Sequence, residues 1–175
     1  MKLQRIGIKL FAESSAPVPV RDFIPVFHTW IQKQVIENHL LIDIHNYSHI
    51  HNGPGILLVA QEGNFSIDMA DGRMGLLYYR KKSGDDFSSV LKTALEGCKL
   101  LESDPAFAGR LRFRTDEMWI VANDRLLAPN NDQTFEELKP SVTSALKLLL
   151  PEGKFTLARS SANAKERLAI RVKGN

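Results

Sequence analysis

Four short apolar runs follow one another between residues 40 and 80: LLIDIHNY, GILLVAQE, FSIDM and GLLYYRK. The residues between them are ones that turn a chain. Asn52-Gly53-Pro54-Gly55 and Glu62-Gly63-Asn64 are turn formers, and Ala70-Asp71-Gly72-Arg73 carries the Asp-Gly pair that accepts positive φ in a two-residue hairpin. Four consecutive strands joined this way make an antiparallel meander, and the rest of the chain has to be built around it.

Upstream, Ile6, Ile8 and Leu10 alternate with Gly7 and Lys9, the period-2 pattern of a strand with one buried face. A Ser/Pro-rich linker spans 12 to 20. Beyond it, Phe23, Phe27, Trp30, Ile31 and Val35 recur at helical spacing, which predicts an amphipathic helix over 22 to 37 with Pro25 tolerated in its first turn. Phe87, Val90, Leu91, Ala94, Leu95, Cys98 and Leu101 form a second helical stripe between 86 and 102, with Ser83 or Asp85 as candidate caps. LRFR and MWIVAN, joined by Thr115-Asp116-Glu117, read as a hairpin, and a loop over 125 to 133 follows. Thr134 and Glu137 form a capping box that opens a third helix, whose apolar face is Phe135, Leu138, Val142, Ala145 and Leu149. Pro140 in its interior is expected to kink it or to delay its regular part. KFTLAR and RLAIRV, separated by SSANAKE, make a last hairpin. Strands that come in hairpins rather than alternating with helices predict an α+β fold, mostly antiparallel sheet with three helices, in a single domain over 1–175.

Composition supports that size and class. A chain of 175 residues, 43% hydrophobic and 25% charged, buries a core without staples, and neither disorder nor a coiled coil fits it. The lone Cys98 excludes an internal disulfide and a thiolate zinc cluster, and its place on an apolar stripe marks it as a small buried hydrophobe. No apolar run approaches the ~20 residues that cross a bilayer, and MKLQRIGIKLF alternates rather than forming a leader core, so a reducing, cytoplasmic setting is expected. A net charge of +3 is too mild to imply nucleic acid by itself.

Three of the five histidines fall in DIHNYSHIHNGPG. If Asp43 to His51 is one extended strand, Asp43, His45, Tyr47, His49 and His51 share a face while Ile42, Ile44 and Ile50 enter the core. Asp43, His45, His49 and His51, completed by His28 or His39, would then offer nitrogen and oxygen ligands to a divalent transition metal such as zinc, iron or manganese. The spacing matches no strong metal signature, and a polar strand face running into a turn accounts for the same residues. HNGPG reads as a hairpin loop rather than a phosphate cradle, because it feeds a strand and Pro54 lacks an N–H. Asp116, Glu117 and Asp124 bracket one strand as either an acid/base set or turn formers.

Arg110, Arg112 and Arg114 are expected on one strand face, and Arg167, Arg171 and Lys173 on another. Two such faces side by side would hold an anionic partner, RNA or an acidic protein segment, although they lack the interleaved aromatics of single-strand binders. There is no nucleophile elbow, P-loop or dinucleotide fingerprint in the chain. The runs FIPVFHTWIQ, LLIDIHNYSHIHNGPGILLVAQEGNFSIDMADGRMGLLYYRKK and LRFRTDEMWIVANDRLLAPN together resemble a group of uncharacterised bacterial proteins of similar length. The resemblance implies a bacterial origin and brings no activity, cofactor or residue role with it. The functional expectation is a non-catalytic bacterial cytoplasmic accessory or protein-interaction module, binding a protein partner or another copy of itself, with metal binding and then RNA binding as alternatives.

Overall fold

Ile6–Ala12 (β1) sets its even-numbered residues Ile6, Ile8 and Leu10 against the core and its odd-numbered Gly7 and Lys9 on the opposite side. The computed structural model describes residues 5–13, 18–82 and 86–175. Leu41–Tyr47 (β2), Gly55–Ala60 (β3), Gly63–Asp68 (β4) and Gly75–Arg80 (β5) form the expected meander, and β1 adds beside β5. Phe113–Ala122 (β6) pairs with the other edge of β1, and the hairpin of Phe155–Arg159 (β7) and Leu168–Gly174 (β8) completes an eight-stranded sheet in the order β2-β3-β4-β5-β1-β6-β8-β7. Every pairing is antiparallel, so the α+β class read from the hairpin spacing is the class observed.

Three helices, Phe23–Lys33 (α1), Phe87–Ser103 (α2) and Asp132–Leu149 (α3), lie on one face of that sheet. Trp30 of α1 meets Phe65 of β4 edge-on with ring centroids 6.0 Å apart, and Phe23 packs on Phe107 at 4.7 Å. α2 crosses the centre. A Cβ on Gly97 would stand 2.9 Å from Leu76 and 3.2 Å from Phe65, so the absent side chain is what lets the helix backbone approach. Leu138 and Val142 of α3 close with Phe87 of α2 over Ile120 and Ile170. Cys98 is buried in this layer, where desolvation, reinforced by Glu102, pushes its thiol well above its ordinary range. Among the described residues no helix is long and apolar enough to cross a membrane.

Several local expectations are corrected. α1 stops at Lys33 because Gln34 turns to φ 47°, leaving Val35 outside the helix. The cap of α2 is Asp86, whose carboxylate accepts from the Ser89 N–H at 2.9 Å, whereas Ser83 and Asp85 lie outside the described residues. LRFR and MWIVAN do not form a hairpin: Thr115-Asp116-Glu117 lies within the single strand β6, where a register shift against β1 absorbs the irregularity. The cap of α3 is Asn131, which accepts from the Thr134 N–H at 2.8 Å, so the helix begins before the Thr134 capping box. It then runs continuously through Pro140, which sits with Glu136 on the exposed side of the helix.

Candidate binding face of the sheet

With all three helices on one side, the odd-numbered residues of β1, β3, β5 and β6 stand on a face that no described helix covers. The strand register arranges them in rows. Ala169, Val121, Gly7, Tyr79 and Asn64 form one, and Arg171, Trp119, Lys9, Leu77, Ser66 and Leu57 form the next. Leu57, Val59, Leu77, Tyr79, Trp119, Val121 and Ala169 are half-buried rather than exposed. An antiparallel sheet open to water on one side normally alternates apolar-in with polar-out, and here both sides of the central strands are apolar. Gly7 matters to the shape of the surface, since a Cβ there would stand 3.0 Å from the Tyr79 ring and 3.3 Å from Leu77. Tyr79 therefore lies across β1, its hydroxyl hydrogen-bonded to the Asn123 amide, and the Trp119 indole N–H donates to Ser160 Oγ at 2.8 Å.

The two ends of the face differ in charge. At one end Lys9, fully buried, donates to Asp68 Oδ2 at 2.7 Å and to the carbonyls of Ala70 and Arg73 at 3.1 and 2.7 Å, fastening the 69–74 turn onto the sheet. Burial lowers its pKa, and Asp68 opposes that shift. Arg73 lies 3.9 Å from the Phe11 ring centroid and forks onto Glu117 at 2.8 and 2.9 Å. Those bonds hold the Glu117 carboxyl below its ordinary range, as Arg114 does for Asp116. Charge is balanced here.

At the other end a cleft of about 710 Å³ opens, floored by Trp119, Val121 and Ala169 and ringed by Arg5, Arg125, Lys165 and Arg167, with Glu166 as the one acid among the described residues that line it. Arg125 is oriented by donating to the Lys165 carbonyl at 2.9 Å, and Arg167 by donating to Asn123 Oδ1 at 3.2 Å. Glu166 accepts from the Asn163 side chain at 3.3 Å, and among the described residues none of the four cations is in an ion pair. Beside the cleft, Asp124 Oδ1 accepts from the N–H groups of Leu126 and Leu127 at 3.1 and 3.2 Å, bracing a turn on which Leu126 is 94% exposed.

The histidine-rich stretch is arranged otherwise than expected. β2 ends at Tyr47, where Asn46 Oδ1 accepts from both the N–H and the hydroxyl of Ser48 and bends the chain, so His49 and His51 lie in an exposed turn. Of the four expected ligands Asp43 and His45 share the strand face, 3.7 Å apart and both exposed, with the Tyr47 ring 6.1 Å from that of His45. Ile42 and Ile50, expected in the core, are 53% and 46% exposed: Ile42 lies on the edge strand β2 beside a register irregularity before Asp43, and Ile50 lies beyond the strand in the turn. His39 belongs to the helical layer, its Nε2 2.6 Å from the Tyr78 hydroxyl. Among the described residues no group of three or more His, Cys, Asp or Glu side chains is placed to hold one metal ion.

The two basic strands do come side by side, with different side chains than expected. β6 and β8 are neighbours, and Arg171 and Lys173 alternate with buried Ile170 and Val172, but β6 offers them Trp119 and Glu117. Arg110 precedes the strand and folds onto the carbonyls of Phe107 and Ala106, Arg112 also lies before β6, and Arg114 is neutralised by Asp116 and Glu117. Arg167 precedes β8 and lines the cleft instead of the strand. Asp124 is occupied as a turn brace. The residues that sequence reasoning passed over are Leu57, Leu77, Tyr79, Trp119, Arg5 and Arg125. The signal for the first four was present, since GILLVA, GLLYYR and MWIVA are apolar at both parities although each helix offers a stripe for one face only. Comparison with protein-family models, with curated proteins and with solved structures gave no match.

Proposed function

We propose that this chain is a non-catalytic protein-interaction module that docks a partner protein on the open face of its sheet. One observation carries the reading: the uncovered face is half-buried and apolar over Leu57, Val59, Leu77, Tyr79, Trp119 and Val121, where a solvated face would be polar. The carboxylates that a catalytic reading would use are committed, Glu117 and Asp116 to arginines and Asp124 to its own turn. The partner that fits has an apolar centre and an acidic flank, since Arg167, Arg171 and Lys173 are exposed on the β8 side.

A photo-crosslinking amino acid at Leu77, compared with the same group at Leu148 on the exposed side of α3, tests this in cells of the native host. A discrete heteromeric product from position 77 and none from 148 is the expected result. A product of twice the chain's own mass would replace the partner with a second copy of the chain, and equal labelling from both positions would sink the proposal.

A further inference from the structure

We propose that the cleft between Arg5, Arg125, Lys165 and Arg167 is a separate subsite that takes an acidic peptide segment carrying an apolar residue. It rests on the protein-interaction reading for the identity of its owner, though the site itself has its own geometry. Four cations converge on one opening with a single acid among them, whereas the opposite end of the same face sets Arg73 and Arg114 against Glu117 and Asp116. An excess of like charge gathered around one opening raises the local potential and favours an anion. Arg125 and Arg167 are already positioned by hydrogen bonds that leave other guanidinium N–H groups to donate. The Asn123 that holds Arg167 is itself bonded to Tyr79, so the positioning extends into the sheet.

Charge alone does not choose the ligand, and the apolar parts do. The floor is Val121, Ala169 and one indole whose N–H is committed to Ser160, and Leu126 stands almost fully exposed beside Arg125. Nucleic-acid platforms stack successive bases on several open aromatic faces, whereas aliphatic side chains match an aliphatic one. A volume of about 710 Å³ accommodates a few residues of extended chain. Carboxylates flanking a leucine-like side chain satisfy both halves of the site: guanidiniums fork onto the acids, and Trp119, Val121 and Ala169 cover the apolar group.

The test uses the full chain and an acetylated, amidated Glu-Glu-Leu-Glu-Glu peptide, followed by tryptophan fluorescence and amide chemical shifts. Saturable binding is expected, weakening as salt rises and falling about tenfold or more in the double variant Arg125→Glu/Arg167→Glu, with unchanged thermal melting as the folding check. Arg5→Glu/Lys165→Glu provides an independent pair from the same rim and is expected to lose as much. Leu148→Asp, on the exposed side of α3, is expected to leave the peptide affinity unaltered. Absence of saturable binding at low salt, retention of affinity in both charge-reversed pairs, or tighter binding of an oligouridylate than of the peptide would each overturn the inference. Crosslinking from Leu77 without peptide binding removes the cleft and keeps the interaction face; peptide binding without crosslinking does the reverse.

Discussion

At the scale of single residues, Lys9 shows how a charge becomes part of a core. Position 9 falls on the open face, yet the 69–74 turn covers it, and the ammonium is satisfied by one carboxylate and two carbonyls. Removing one partner of such a pair strands the other, which typically costs about 3 kcal/mol or more. Lys9→Met is therefore expected to lower the unfolding free energy measured by urea titration by an amount of that order, and Lys9→Met/Asp68→Leu to recover much of it. A loss under about 1 kcal/mol in the single variant would mean that the turn is held by other contacts. Glu117 supplies a pH effect with a definite sign. Its folded-state pKa is depressed by the Arg73 bonds, so its contribution is complete above the unfolded carboxylate range and disappears as pH falls through the folded value. In denaturation curves at a series of pH values, Glu117→Gln is expected to be less stable than the native chain at neutral pH and to converge with it in acid. The histidines teach the opposite lesson about legibility. Alternation assigned them to one face, but the Asn46–Ser48 bond ends the strand first, and local side-chain competition of that kind is invisible to a periodicity argument.

At the scale of elements, the edge strand β2 is the exposed margin of the sheet, and its protection comes from α1. The Gln34 amide donates to the Leu41 carbonyl at 2.9 Å and accepts from the Leu41 N–H at 2.9 Å, acting as a short substitute strand. Next to it the register shifts, and Asp43 Oδ1 takes the Ile44 N–H at 2.8 Å. These are the devices by which a sheet resists edge-to-edge pairing, and they are needed here because Leu40 and Ile42 are 52% and 53% exposed. Gln34→Leu is expected to produce concentration-dependent association in light scattering, reversed by Ile42→Lys; a strictly monodisperse variant at high concentration would show that the amide is dispensable. Helix boundaries were legible to within a few residues, since the apolar stripes of α1, α2 and α3 were read correctly. Their caps were not. Asp86 and Asn131 compete with nearby Asp, Ser and Thr residues of equal capping power, and only the path of the preceding chain decides between them.

At the scale of the whole molecule, one sheet carries two apolar faces that do different work. The helical face is the core, so Ile8→Ala is expected to cost about 2–5 kcal/mol, while Val121→Thr on the open face is expected to cost under about 1 kcal/mol. Similar losses at both positions would mean that the open face is covered in the free protein, and would remove the basis for a docking surface. The sequence by itself determined the β2–β5 meander, the last hairpin, the three amphipathic helices and the α+β class, because those follow from the 2.0 and 3.6 periodicities and from turn chemistry acting over a few residues; the hairpin expected of LRFR and MWIVAN is one strand instead. It also determined that the central strands are apolar on both sides. Which face the helices cover, that β1 enters between β5 and β6, and that Arg5, Arg125, Lys165 and Arg167 meet around Trp119 were decided only in the tertiary structure. Those four cations come from three separate segments of the chain. Their convergence depends on the pairing of β1, β6 and β8, whose long-range contacts leave no pattern within any one of the segments they join.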